Sequence, residues 1–181
     1  ISSAASDVYK RQIGNNDYKP SVARWNMATE EINPMPYEYP DLKKVRFIYA
    51  ASAEHQLYVQ CYTQYDLMTI CDFNGNLKCN IYGPKWVNEK TQTQHYSLGV
   101  EFCGDKILAL YSGGDHRTDA YYPTKFLVFD LNGNYLKTLE TGYMITDFCY
   151  DKENNRLIIN LNDEIQFAYL DLELSLIHIS E

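Results

Sequence analysis

Between residues 13 and 173 the sequence has no apolar run of the roughly 20 residues that a membrane-spanning helix requires. It also lacks any cluster of basic residues. Its 16 Lys and Arg are scattered among 24 Asp and Glu, for a net charge of −8. Phosphate backbones are held by massed cations, so this balance argues against nucleic acid as a partner. It argues equally against an anionic membrane surface. The cysteines, Cys61, Cys71, Cys79, Cys103 and Cys149, are odd in number and contain no Cys-x-x-Cys pair. Their apolar neighbours favour small buried hydrophobes on strands over a disulfide or a metal pair, which leaves the redox compartment open. No G-x-S-x-G, Walker loop, H-E-x-x-H or zinc-type Cys–His spacing occurs. No catalytic residue, metal ligand or cofactor is therefore assigned. No stretch keeps a helical period either.

What the chain does have is tyrosine, 17 of them, and many β-branched and aromatic residues, a composition that favours strands. A short pattern recurs: apolar residues, then Asp or Asn, then a turn. It appears as Ala23-Arg24-Trp25-Asn26, Thr69-Ile70-Cys71-Asp72, Leu127-Val128-Phe129-Asp130 and Ala168-Tyr169-Leu170-Asp171. The anchors at 26, 72, 130 and 171 are spaced by 46, 58 and 41 residues. Two copies continue into Asn-Gly, Asn74-Gly75 and Asn132-Gly133, the dipeptide that suits a type I′ hairpin turn. A second pattern precedes the anchors: Phe47-Ile48-Tyr49, Glu101-Phe102-Cys103 and Asp147-Phe148-Cys149, each followed by a polar turn and an apolar run. Four antiparallel strands repeating every 40–50 residues or so mark a β-propeller blade. The expected fold is all-β: a partial β-propeller of about three four-stranded antiparallel blades out of six. Residues 13–38 read as a blade tail, 44–83 and 96–140 as blades, and 143–173 as an incomplete blade. An open arc of this kind exposes apolar edges and faces and invites aggregation.

The run Phe126–Leu139, followed by Ile145–Ile159, resembles the TolB-like six-bladed propellers of Bacteroidetes and, more loosely, NHL-type blades. The resemblance covers most of the chain and specifies blade architecture better than function. It implies a six-bladed protein that is exported, periplasmic or a cell-surface lipoprotein, and it carries over no catalytic motif. The two ends read differently. Asp7-Val8-Tyr9-Lys10-Arg11-Gln12 can be encoded by GAT GTG TAT AAG AGA CAG, whose reverse complement translates to Leu174-Ser175-Leu176-Ile177-His178-Ile179. Residues 1–12 and 174–181 thus resemble translated sequencing-adapter DNA flanking a metagenomic fragment, and are set aside from fold reasoning. On this reading they should show no blade-like packing, except where Leu174–Ile179 mimics a fourth strand by its apolar pattern.

The 58-residue spacing traces to one long loop, Gly113–Thr124, between the second and third strands of its blade. The equivalent loop in the preceding blade is only Thr63-Gln64-Tyr65-Asp66. Long loops on rigid scaffolds tend to carry function. Asp115, His116, Arg117 and Asp119 offer charge and hydrogen bonding beside Tyr121 and Tyr122. The blade connection 84–95, with Trp86, Lys90 and His95, emerges on the same face. Together these residues are the candidate ligand-binding patch; a solvated insertion with a local Asp–Arg pair is the alternative. His55 reads as a solvated turn residue, and Asp72-x-Asn74-Gly75-Asn76 as a hairpin rather than a calcium loop. The functional expectation is a non-enzymatic module that binds a protein, peptide or glycan through this face. A propeller hydrolase or lyase with a central-channel site is the main alternative, and a structural subunit of an envelope complex a third. Channel-facing ionisable side chains would favour the enzyme.

Overall fold

A computed structural model describes residues 8–12, 18–35, 42, 45–172 and 176–179. The expected adapter positions 1–7, 174–175 and 180–181 lie outside the described residues, as do 13–17 and 36–38 of the expected blade tail. The described chain is almost entirely β, in four antiparallel sheets. The first holds β1 (Val8–Gln12), β2 (Tyr18–Asn26) and β3 (Glu31–Pro34). The second runs β4 (Phe47–Ser52), β5 (Leu57–Tyr62), β6 (Leu67–Asp72) and β7 (Leu77–Tyr82). The third comprises β8 (Thr93–Cys103), β9 (Lys106–Asp115), β10 (Lys125–Asp130) and β11 (Tyr135–Glu140). The fourth contains β12 (Ile145–Asp151), β13 (Arg156–Leu161), β14 (Phe167–Asp171) and β15 (Leu176–Ile179). Within each sheet the strands pair in sequence order, the up-and-down meander of a propeller blade.

The strands follow from alternation at a period of two. In β9, Ile107, Ala109 and Tyr111 pack toward the second sheet, against Val59, Met68 and Ile70. The intervening Leu108 and Leu110 face the fourth sheet, against Leu157, Ile159 and Leu170. A strand segment sandwiched on both faces must be apolar at nearly every position, and Ile107–Tyr111 of β9 is. The hairpins that close the second and third blades repeat one arrangement. Asp72 Oδ1 accepts the backbone N–H groups of Asn74 and Asn76, each at 2.9 Å. Asp130 Oδ1 does the same with Asn132 and Asn134, at 2.9 and 2.8 Å. Gly75 and Gly133 take φ of 83° and 86°, which the turn requires and a side chain resists.

Two expectations need correcting. The third blade begins at Thr93, not residue 96, because Thr93 and Gln94 pair with Asp115 and Gly114 and lengthen the β8–β9 hairpin. Residues 8–12 do not stay outside the sheets: Val8–Gln12 pairs antiparallel with Tyr18–Val22. At the other end Leu176–Ile179 pairs with Ala168–Asp171 as a fourth strand, the exception that its apolar pattern allowed. An open sheet edge offers unpaired N–H and C=O groups to any extended segment beside it, whatever the origin of that segment. The cysteines are all free; Cys61, Cys71 and Cys103 are buried as expected, whereas Cys79 is half-buried and Cys149 is exposed.

Candidate functional site

The loops between second and third strands and the connections between blades emerge on one face of the arc, and there three segments lock together. The Thr91 hydroxyl donates to the Gln64 carbonyl (3.2 Å) and the Gln64 side-chain amide donates to the Thr91 carbonyl (3.3 Å). The His95 N–H donates to the Thr63 carbonyl at 2.8 Å. The long loop is tied on in turn, because the His116 N–H and its Nδ1 lie 3.1 and 2.8 Å from the Gln92 carbonyl. A carbonyl only accepts, so the Nδ1 contact requires the tautomer protonated there.

The loop itself is preorganised. The Ser112 hydroxyl donates to the Ala120 carbonyl at 2.6 Å, closing the loop across its base. A Cβ at Gly114 would collide with that same carbonyl. Thr118 caps a single 3-10 turn at Asp119–Tyr121, its hydroxyl accepting the Ala120 N–H at 3.3 Å. Tyr121 and Tyr122 stack with ring centroids 4.2 Å apart. Asp115 Oδ1 accepts the Arg117 backbone N–H at 2.9 Å. The expected Asp–Arg pair is therefore a backbone turn and not an ion pair. Among the described residues the Arg117 guanidinium has no acceptor, and with Asp115 and Asp119 it stands exposed.

Of the expected patch residues on connection 84–95, Lys90 is exposed, whereas Trp86 and His95 lie elsewhere. Trp86 is half-buried, with its ring 4.9 Å from Tyr82 and 6.2 Å from Tyr65, and braces the blade connection. His95 is 1% exposed and sits beneath the patch rather than on it. Its Nδ1 is 3.2 Å from the Tyr111 hydroxyl and 3.7 Å from Asp66 Oδ1. Burial lowers the His95 pKa against the opposing pull of Asp66, and Lys85 adds to the lowering. Burial raises that of Tyr111, with the Asp66 charge adding to it.

Asp66 was legible only as a loop residue, yet it is the best-enclosed carboxylate here, at 1% exposure. Its Oδ2 accepts the Lys85 N–H at 2.9 Å, while Oδ1 makes no hydrogen bond. His55, expected to be a solvated turn residue, is in a turn but half-buried: its Nε2 lies 3.0 Å from the Gly104 carbonyl and joins two blades on the opposite face. On the innermost strands a cavity of about 400 Å³ is lined in part by Tyr49, Glu101 and Asp147. Glu101 Oε2 lacks a partner there, and burial raises the carboxyl pKa.

Comparison with known proteins adds a fold and no activity. No family model and no curated protein sequence matches the chain. Its fold is similar to hydrazine synthase of Kuenenia stuttgartiensis, with a TM-score of 0.62 at 11% identity over 91% of this chain and 46% of that one. It is also similar to a chain of the nidogen/laminin complex, with a TM-score of 0.57 at 12% identity over 86% and 55%. U3-55K gives 0.61 at 9% identity over 90% and 47%. The chain spans about half the length of these structures. Hydrazine synthase and U3-55K are propeller-type folds built of several antiparallel sheets. With its own four sheets, the chain belongs among the all-β, propeller-type modules.

Proposed function

We propose that the protein is a non-enzymatic propeller module that binds a protein, peptide or glycan through the face formed by loop 113–124 and connection 84–95. The observation that carries this reading is the contrast within the loop. Its backbone is held by Ser112, His116 and Thr118, while Asp115, Arg117 and Asp119 stay in solvent. A rigid loop loses little entropy when it binds, so exposed charge on a held backbone suits recognition. Peptide and glycan arrays probed with the intact chain provide the test. Hits should be lost, by at least about tenfold in Kd, when His116 and Arg117 are both changed to Ala. Unchanged affinity for every hit would reject the patch.

The enzyme reading rests on one observation, the desolvated Glu101 carboxyl facing the inner-strand cavity beside Asp147. A hydrolase or lyase of this kind would lose turnover in Glu101→Gln while the His116 and Arg117 substitutions left it intact. The resemblance to TolB-like propellers supports placing the chain in an exported, periplasmic or lipid-anchored six-bladed protein. The reverse-complement relation of the two ends supports reading them as adapter sequence.

A further inference from the structure

Between the second and third sheets lies a cavity of about 460 Å³, within the range of a small-ligand site. Tyr82, Tyr111, Leu127, Phe129 and Tyr135 give it walls that are mostly aromatic. Lys85 and Lys125 also line it. Lys125 stands opposite Glu140 across the β10–β11 ladder, which puts both side chains on one face of the sheet. Among the described residues the two form no ion pair. The Lys125 ammonium lies instead 5.8 Å from the centre of the Tyr111 ring, its neighbour on β9. Lys85 approaches the same ring from the connection between the blades. Its Nζ donates to the Gly113 carbonyl at 3.4 Å, and a Cβ at Gly113 would lie 3.5 Å from that Nζ and 3.0 Å from Tyr111 Cε1. Among the described residues Lys85 has no acidic partner. Asp66 borders the cavity but is shut off at 1% exposure, with Oδ2 on the Lys85 backbone N–H and Oδ1 beside His95. The crevice therefore presents two ammonium groups among aromatic rings, in a chain whose net charge is −8.

We propose that this inter-blade cavity binds a small aromatic carboxylate, with its charged group held by Lys85 and Lys125 and its ring against the tyrosine walls. Each ammonium carries three donors, and the Gly113 carbonyl takes one of those on Lys85. A carboxylate accepts on both oxygens, so one such group can answer two lysines. An aromatic body gains edge-to-face or offset contacts with the wall rings beyond the burial of its area. A bare inorganic anion would leave the walls uncovered, a neutral aromatic would leave the lysines unmatched, and an amine would meet like charge. The cavity shares only Pro84 and Lys85 with the face proposed above, and none of residues 113–124 lines it, so the two readings fail separately.

The test is calorimetric titration of the intact chain with phenylacetate, 3-phenylpropionate and indole-3-acetate, each beside its neutral amide. Acetate and chloride report on charge alone. At least one aromatic acid should bind saturably, and its amide should bind at least about tenfold more weakly. Lys85→Met and Lys125→Met keep most of the side-chain stem and remove the charge. Each should weaken the acid by about tenfold and leave the amide unaffected. Thr138→Trp, which fills the cavity from β11, should abolish binding of both, and Arg117→Ala should change nothing. Unfolding midpoints check that each variant is folded. Absence of saturable binding by any acid, amides that match their acids, affinity indifferent to both lysines, or acetate competing as well as the aromatic acids would each overturn the proposal.

Discussion

At the scale of single residues, His95 makes the packing sensitive to pH. Burial holds its imidazole neutral, with a folded-state pKa below the ordinary value of 6.5. Above that pH neither folded nor unfolded chain carries the proton, and stability is full. As pH falls below it, the unfolded chain takes up a proton that the folded chain refuses until its own lower pKa is reached. Stability therefore declines across that interval, with a slope capped by one proton at about 1.4 kcal/mol per pH unit. Glu101 works in the opposite direction, since its raised pKa lets the folded chain take a proton first. Asp72, Asp130 and Asp151, all lowered, lose their contribution only as pH falls from about 4 through their folded values. Urea midpoints of the wild type and His95→Gln between pH 7.5 and 5 separate these effects. The variant should be less stable at every pH yet lack the decline below 6.5, and parallel curves would contradict the account. The His95 environment was hidden in the sequence, where Gln92-Thr93-Gln94-His95 reads as a polar connection. Burial comes from Tyr111, across the β8–β9 hairpin, and from Asp66, which meets it only once two blades dock.

Among elements, the two Asn-Gly hairpins look alike in sequence and differ in surroundings. Gly133 packs on the neighbouring blade: a Cβ there would lie 2.7 Å from Cys79 Sγ and 3.0 Å from Ile81 Cδ1. The Cys79 thiol also lies 3.4 Å from the Asn132 carbonyl. Gly133→Ala should cost about 1–2 kcal/mol for the left-handed backbone. The collision with Cys79 and Ile81 should add roughly 1–3 kcal/mol of overpacking. Thermal unfolding of Gly133→Ala in the wild-type chain and in a Cys79→Ala background makes the comparison, and equal losses in both would show that the β10–β11 turn does not brace β7. The hairpins were legible because Asn-Gly has one dominant use and alternation fixes which face of each strand is buried. The lengthened β8–β9 hairpin was not, because Ser112-Gly113-Gly114-Asp115 has little strand propensity of its own. Its pairing is imposed by Thr93 and Gln94 across the ladder. The cavity of about 460 Å³ between the second and third sheets was illegible for the same kind of reason, as its walls come from five strands of two blades that no local pattern connects.

At the scale of the whole molecule, burial is uneven along the arc. β5 is buried at every position, and β9 is buried throughout Ile107–Tyr111. β13 alternates, with Leu157, Ile159 and Leu161 inside and Ile158 and Asn160 outside. Yet β13 is as apolar in sequence as a strand covered on both faces, and its outer neighbours follow suit: Ile158 is 38% exposed and Phe167 58%. An apolar sheet face of this kind is stable only when something covers it. The chain spans 46–55% of the structures it is similar to. Alone in solution, the isolated chain should cover the face with itself. Sedimentation velocity should show association that grows with concentration, and the double change Ile158→Thr with Phe167→Ser should suppress it while leaving the far-ultraviolet circular dichroism of the sheets unchanged. Both substituted side chains keep strand propensity or point outward, so loss of association with intact sheets would assign it to the exposed face. A wild-type chain that stays monomeric at its highest soluble concentration would show instead that the face is tolerated bare, and the uneven burial would lose its consequence.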